Sequence, residues 1–261
     1  MSPHETPQNV GSEATELGAT KGRRGLGPLF FVALGVAVIV SGTLAIAGIR
    51  NRNAQQGLQS LRVSGIPASV STSQANLMSL SPVPHTMAPN FTLVDQKGRT
   101  MSLNSFRGRS VVLEFMDPHC VDICPIVSQE FVDAYHDLGT KASGVVFIAV
   151  NVNQYFHSVA NMATFSAEHQ LNTIPSWHFF TGSVSALKAI WHAYGIVVSA
   201  PNPKADIVHT SVVLFIGPDG RERYLGVPSD QRNMQGIAFL PAGQLSSWGT
   251  GIALVAQSMK K

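Results

Sequence analysis

An α/β domain carried behind a membrane-spanning helix is what this sequence predicts, and three observations lead there. Short apolar runs of strand length alternate with stretches whose apolar residues recur at three and four. The two cysteines lie four apart in Asp117-Pro118-His119-Cys120-Val121-Asp122-Ile123-Cys124-Pro125, directly after one of those runs. The 21 residues 29–49, LFFVALGVAVIVSGTLAIAGI, contain no charge, and about 20 apolar residues cross a bilayer as a helix.

Each element follows in order. Residues 1–28 are polar and rich in Gly, Ser, Thr and Glu, a composition that predicts a disordered tail. Lys21, Arg23 and Arg24 precede the apolar segment, and Arg50 and Arg52 follow it. The positive flank before the segment favours a cytoplasmic N-terminus, so the chain is expected to be single-pass in an inner membrane with everything after Arg50 outside the cytoplasm. Without a Ser/Arg-rich transit peptide, the bacterial periplasm is favoured over the mitochondrial intermembrane space. A cleaved signal peptide is the alternative, with Ala45-Ile46-Ala47 resembling a cleavage site, but the apolar stretch exceeds the roughly 7–15 residues of a signal h-region. Residues 50–87, dominated by Ser, Gln, Ala and Pro, read as a linker, and 88–261 as the folded domain.

Within that domain, 91–95 and 100–103 flank Gln96-Lys97-Gly98-Arg99 as a hairpin. Residues 111–116 form a buried strand, and the cysteine loop follows. Helix is expected over 125–138, strand over 145–150, helix over 158–170, strand over 177–180 and helix over 183–194. A second hairpin joins 212–216 to 221–225 across Gly217-Pro218-Asp219-Gly220, and a helix over 241–261 closes the chain. A βαβ unit joined to a ββα unit is the thioredoxin-type order. It places the cysteines at the carboxyl end of a central strand, where open α/β sheets put their sites.

Composition agrees with a folded domain. Of 261 residues, 44% are hydrophobic and only 13% charged, with a net charge of +3. No run of Lys or Arg is interleaved with aromatics, which argues against a nucleic-acid partner. Two thiols one helical turn apart can bind a soft metal or close a disulfide. A disulfide closing so short a loop would add little unfolded-state entropy loss, which disfavours a purely structural staple. A helix beginning near Cys124, with Pro125 suited to its first turn, is expected to favour the Cys124 thiolate. Asp122 is expected to cap that helix.

The stretch Phe115-Met116-Asp117-Pro118-His119-Cys120-Val121-Asp122-Ile123-Cys124-Pro125 resembles the CxxxCP signature of the SCO/SenC family of membrane-anchored, thioredoxin-like copper proteins. A second stretch, Asp206-Ile207-Val208-His209-Thr210-Ser211-Val212-Val213-Leu214-Phe215-Ile216-Gly217-Pro218-Asp219-Gly220, resembles that family's distant histidine, strand and turn, about 85 residues after Cys124. The resemblance implies copper held by Cys120, Cys124 and His209 and handed to the dinuclear copper site of cytochrome c oxidase. It implies a copper-accepting oxidase subunit as partner, with a copper donor or a thioredoxin-like reductant beside it. If Thr210 matches the Thr that follows the cis-proline of thioredoxin-like folds, His209 takes the proline's place and faces both sulfurs. Two thiolates and an imidazole suit Cu(I), or Cu(II) with an added water or other donor, whereas structural zinc wants a fourth ligand. Departures from the pattern are Asp117, Pro118 and Val121 in the cysteine loop, Val208 before the histidine, and Asn151-Val152-Asn153-Gln154 in place of an Asp-Pro turn.

The same cysteines admit other chemistry. Cys120 and Cys124 could serve as a catalytic pair in thiol–disulfide exchange without copper transfer, although thioredoxins use two intervening residues. A peroxidase reading is weaker, because Val121 stands where such enzymes place a Thr. His119 is read as a neighbour of the site or a surface group rather than a ligand. His136, His157, His169, His178 and His192 show no ligand spacing.

Overall fold

The computed structural model describes residues 64–259. In chain order it contains α1 (Thr72–Leu77), β1 (Ser81–Pro82), β2 (Thr92–Val94), β3 (Thr100–Ser102), β4 (Ser110–Met116), α2 (Ile123–Leu138), β5 (Val145–Asn151), α3 (Val159–Glu168), β6 (Trp177–Phe180), α4 (Val184–Ala193), β7 (Val198–Ser199), β8 (Val208–His209), β9 (Val213–Ile216), β10 (Glu222–Gly226), β11 (Gln231–Arg232), β12 (Ala238–Phe239) and α5 (Ala242–Ser258). Six strands form the main sheet in the order β1-β10-β9-β4-β5-β6. β4, β5 and β6 run parallel, while β9, β10 and β1 alternate in direction. The expected βαβ and ββα order is present.

β4 and β5 are buried along their whole length. That suits parallel strands covered on both faces and explains their largely apolar composition. Side chains alternate between faces. Val112 and Met116 join Phe131 of α2, Met162 and Phe165 of α3 and Trp248 of α5 in one layer. Val111, Leu113 and Phe115 join Phe91, Phe106 and the α4 residues Leu187, Ile190 and Trp191 in the other. Each large side chain so buried stabilises by about 1.5–3 kcal/mol. One residue breaks the apolar alternation on β4: Glu114, 1% exposed, projects among the first layer.

Serines start the connecting helices. Ser158 caps α3 with a capping box closed by Asn161, and the Ser183 hydroxyl accepts the Ala186 amide at the head of α4. Edge strand β6 is covered by the β2–β3 hairpin. Val94 and Thr181 exchange backbone bonds at 3.0 and 2.8 Å. The Gln96 amide donates to the Trp177 carbonyl at 3.1 Å and accepts the Phe179 N–H at 2.9 Å. A side chain thereby supplies hydrogen bonds that a further strand would make. The β9–β10 turn closes as expected, with Gly220 at φ +73°, a conformation that favours glycine.

Two expectations change. The folded domain does not begin at 88: Val70, Ala75, Met78 and Leu80 are buried in the first layer, and β1 pairs with β10. Few and scattered apolar residues at 64–87 made that stretch resemble a linker, yet Ile66 and Leu77 also pack against that layer. The helix after the cysteine loop begins at Ile123, next to Cys124 as expected and two residues ahead of the 125 start. The tail, the apolar segment 29–49 and the linker up to 63 lie outside the described residues. Among the described residues, no helix is long and apolar enough to cross a membrane.

Candidate metal centre

β4 delivers the chain to the cysteine loop, and a web of amide and carboxylate bonds fixes that loop. Asp117 is 5% exposed, and its Oδ1 accepts the His119 N–H and the Asn153 side-chain amide, both at 2.9 Å. Asn153 Oδ1 in turn accepts the Tyr155 and Phe156 amides at 2.9 and 3.0 Å. The stretch after β5, where the sequence departs from the family's Asp-Pro turn, thus braces the cysteine loop from the side. The His119 ring stacks on Phe156 with centroids 3.8 Å apart. This answers for His119 as a neighbour of the site and not as a third ligand facing both sulfurs.

The Cys124 N–H donates to Cys120 Sγ at 3.4 Å. The sulfur therefore occupies one of the orphan amides at the start of α2, a place usually taken by a capping oxygen. Both thiols are free, Cys120 partly exposed and Cys124 buried. The hydrogen bond from the Cys124 thiol pulls Cys120 down to about 7, with burial opposing it. Cys124 moves the other way, well above 9.0, because it shares its proton with Cys120 and is enclosed. The helix start does not favour the Cys124 thiolate as expected, since the bond to Cys120 and then burial hold its proton in place. Asp122 holds the N-cap position but makes no side-chain cap bond. Its carboxylate pairs instead with Arg232 of β11 at 3.0 Å, so the expected cap is absent.

His209 ends the short β7–β8 ladder, paired with Val198. Its Nδ1 lies 3.0 Å from the Thr210 carbonyl. Burial lowers its pKa, while the Asp117 charge works against that shift. Thr210 is fastened on both sides to Val197, its amide donating to the Val197 carbonyl at 3.0 Å and its hydroxyl accepting the Val197 N–H at 3.2 Å. Cys120 and Cys124 are therefore in contact, and His209 lies within the field of Asp117 in the same loop. The three are not drawn into one closed donor cluster: among the described residues, no group of three or more His, Cys, Asp or Glu is gathered at metal-holding spacing.

Two hollows flank Cys120. One of about 620 Å³ lies between the cysteine loop and α3, lined among others by His119, Val121, Asn161, Glu168 and His169. The other, of about 260 Å³, lies between the loop, residues 153–156 and residues 203–207, lined among others by Asp117, Asp122, Tyr155, Lys204 and Asp206. Cys120 walls both. His178 belongs elsewhere, hydrogen-bonded to Asp95 at 3.2 Å in the core. Sequence reasoning missed Glu114, Asn153 and Arg232. Only Glu114 left a signal, as a lone acid inside an apolar strand.

A thioredoxin-type sheet with a dithiol at the carboxyl end of its central strand defines a class of redox and metal-carrying proteins. The sequence model of the SCO1/SenC family matches residues 81–236, more than half of the chain. The chain belongs to the SCO1/SenC family. It is 26% identical over 133 residues to the SCO1 protein homolog of Bacillus subtilis, covering 68% of that protein. It is 28% identical over 139 residues to the mitochondrial SCO2 homolog of Bos taurus and spans 50% of that protein's length. Among solved structures, the SCO1/SenC family lipoprotein of Bacillus anthracis aligns over 69% of this chain and 98% of its own, with 16% identity and a TM-score of 0.55. Copper-bound ScoI of Arabidopsis thaliana aligns over 66% and 99%, with 17% identity and a TM-score of 0.51. At these identities the structural likeness speaks for the fold.

Proposed function

We propose that this chain is a membrane-anchored copper carrier that holds copper as cargo on Cys120, Cys124 and His209 and passes it to the dinuclear copper site of a cytochrome c oxidase subunit. The observation that carries the reading is the asymmetric dithiol at the head of α2, with Cys120 near pKa 7 and Cys124 beneath it. Soft thiolates select Cu(I), and an imidazole completes a three-donor set. Copper uptake releases protons, because thiolates are the ligands. Gathering the three donors requires the His209 ring to move onto the sulfurs. The apolar segment 29–49 supplies the anchor, with the folded domain outside the cytoplasm and the bacterial inner membrane as the favoured setting. The test is Cu(I) titration of the full chain in detergent against a competing chelator. One copper per chain with thiolate charge-transfer absorption, weakened in His209→Ala and abolished in Cys120→Ser/Cys124→Ser, is expected. Unchanged affinity in His209→Ala removes the histidine from the site.

A second role in thiol–disulfide exchange, in which the pair prepares the acceptor's cysteines, is favoured by one observation. The lowered thiol is the accessible one, as an attacking sulfur must be. Failure of the reduced chain to reduce a dithiol-model disulfide peptide removes this role.

A further inference from the structure

Glu114 stands six residues before Cys120 on the strand that delivers the cysteine loop. The antiparallel β4–β9 pairing runs through Val111, Val112 and Leu113, opposite Ile216, Phe215 and Leu214, and stops there. The next residue on β4 is Glu114, and the segment it faces is the one leading back from β9 to His209. At that point the Glu114 Oε1 accepts the Ser211 hydroxyl at 2.9 Å. The Val212 amide also interacts favourably with the carboxylate. The other carboxyl oxygen is buried with no partner. An acid 1% exposed with apolar neighbours on both sides along the strand is costly unless it makes a bond that matters. The only side-chain bond it makes among the described residues is to the residue two beyond His209.

We propose that Glu114 is a positioning residue for His209: its carboxyl replaces the strand pairing that ends at Leu113 and fixes the 209–212 segment against the strand that carries the cysteines. This deepens the copper-carrier reading and rests on it. Thr210 fastens the same segment to Val197 on one side, so Ser211 and Glu114 form the second of two tethers on adjacent residues. Burial pushes the Glu114 carboxyl well above the ordinary range, with the Ser211 bond and the Glu130 charge acting in opposite senses. A neutral acid still offers the carbonyl oxygen that Ser211 needs, so glutamine at this position preserves the tether and alanine does not.

The experiment is Cu(I) titration against a competing chelator, with absorption spectra after Cu(II) addition, on the full chain in detergent and on its variants. Ser211→Ala and Glu114→Ala are expected to weaken copper binding about tenfold or more, within the range seen when a group supporting a metal ligand is removed. Their spectra are expected to shift toward that of His209→Ala. Neither change should weaken binding further in the His209→Ala background. Glu114→Gln is expected to bind and absorb like the parent chain. A purely structural role would lower the melting temperature without producing this shared spectrum or this non-additivity. Where Glu114→Ala does not fold, Ser211→Ala and Glu114→Gln decide the matter. Parent-like copper binding in Ser211→Ala alongside weakened binding in His209→Ala overturns the inference alone, as does a Glu114→Gln that loses affinity. Parent-like binding in His209→Ala overturns the reading of the site and this inference together.

Discussion

The sulfur of Cys120 accepts the backbone N–H of Cys124 at 3.4 Å, so one cysteine caps the helix that carries the other. The bond from the Cys124 thiol to the same sulfur makes the pair unequal, and the amide adds to it. Cys120 is expected to alkylate with iodoacetamide at a rate that rises through a midpoint near pH 7, read by mass spectrometry. Cys124 is expected to resist until the fold opens. Cys124→Ala removes the thiol donor and should move the Cys120 midpoint up toward 9. A midpoint left near 7 in that variant would show that the thiol bond is not the cause.

Glu130 is buried on α2 with both carboxyl oxygens unpartnered. Burial, then the Asp133 charge, raises its pKa well above 4.5. The folded chain therefore keeps a proton that the unfolded chain releases above about 4.5. The stability tied to that proton is full below this pH and falls as pH rises toward the folded value. Glu130→Leu is expected to stabilise by about 1–3 kcal/mol at neutral pH. Its advantage should shrink as pH falls to about 4.5, measured by urea unfolding across that range.

Gln96 pairs two buried backbone groups of the edge strand. Gln96→Ala leaves the Trp177 carbonyl and the Phe179 amide unpaired, and each orphan costs about 1–3 kcal/mol. The melting temperature should drop, and the β6 amides should lose hydrogen-exchange protection before those of β4.

Gly249 marks where α5 crosses α2. A Cβ there would meet the Asp133 Cβ at 2.5 Å and the Ala134 amide nitrogen at 3.1 Å. Gly249→Ala gains about 1 kcal/mol of helix propensity, but separating the two helices costs about 1–3 kcal/mol. The balance should be destabilising in chemical denaturation. A stabilised variant would mean that α2 yields easily.

The anchor has a direct test. The full chain is expected to stay in the membrane pellet after alkaline carbonate washing, and a chain lacking residues 1–50 to appear in the supernatant. Release of the full chain by the wash would make the apolar segment a cleaved leader.

The order of strands and helices was legible because β4, β5 and β6 are mostly apolar and Ser158 and Ser183 announce the helices behind them. Both hairpins were legible from their turn residues. α1 and β1 were not, since Met78 and Leu80 sit among Ser, Gln and Pro and their burial comes from contacts far along the chain. The two-residue ladders β7–β8 and β11–β12 carry no periodicity to read. At the site, spacing named the cysteines but not their inequality, which depends first on the bond between the two thiols and then on how deeply α2 sinks Cys124 into the first layer. Asp122 had the right residue type and place for a cap, and only the arrival of Arg232 from 110 residues away explains why it serves otherwise.

Cys120 lines both hollows, so neither closes over the exposed member of the dithiol by itself. Under the proposed carrier role, the two hollows would leave room for an acceptor's donor atoms beside the one residue that both share with the dithiol.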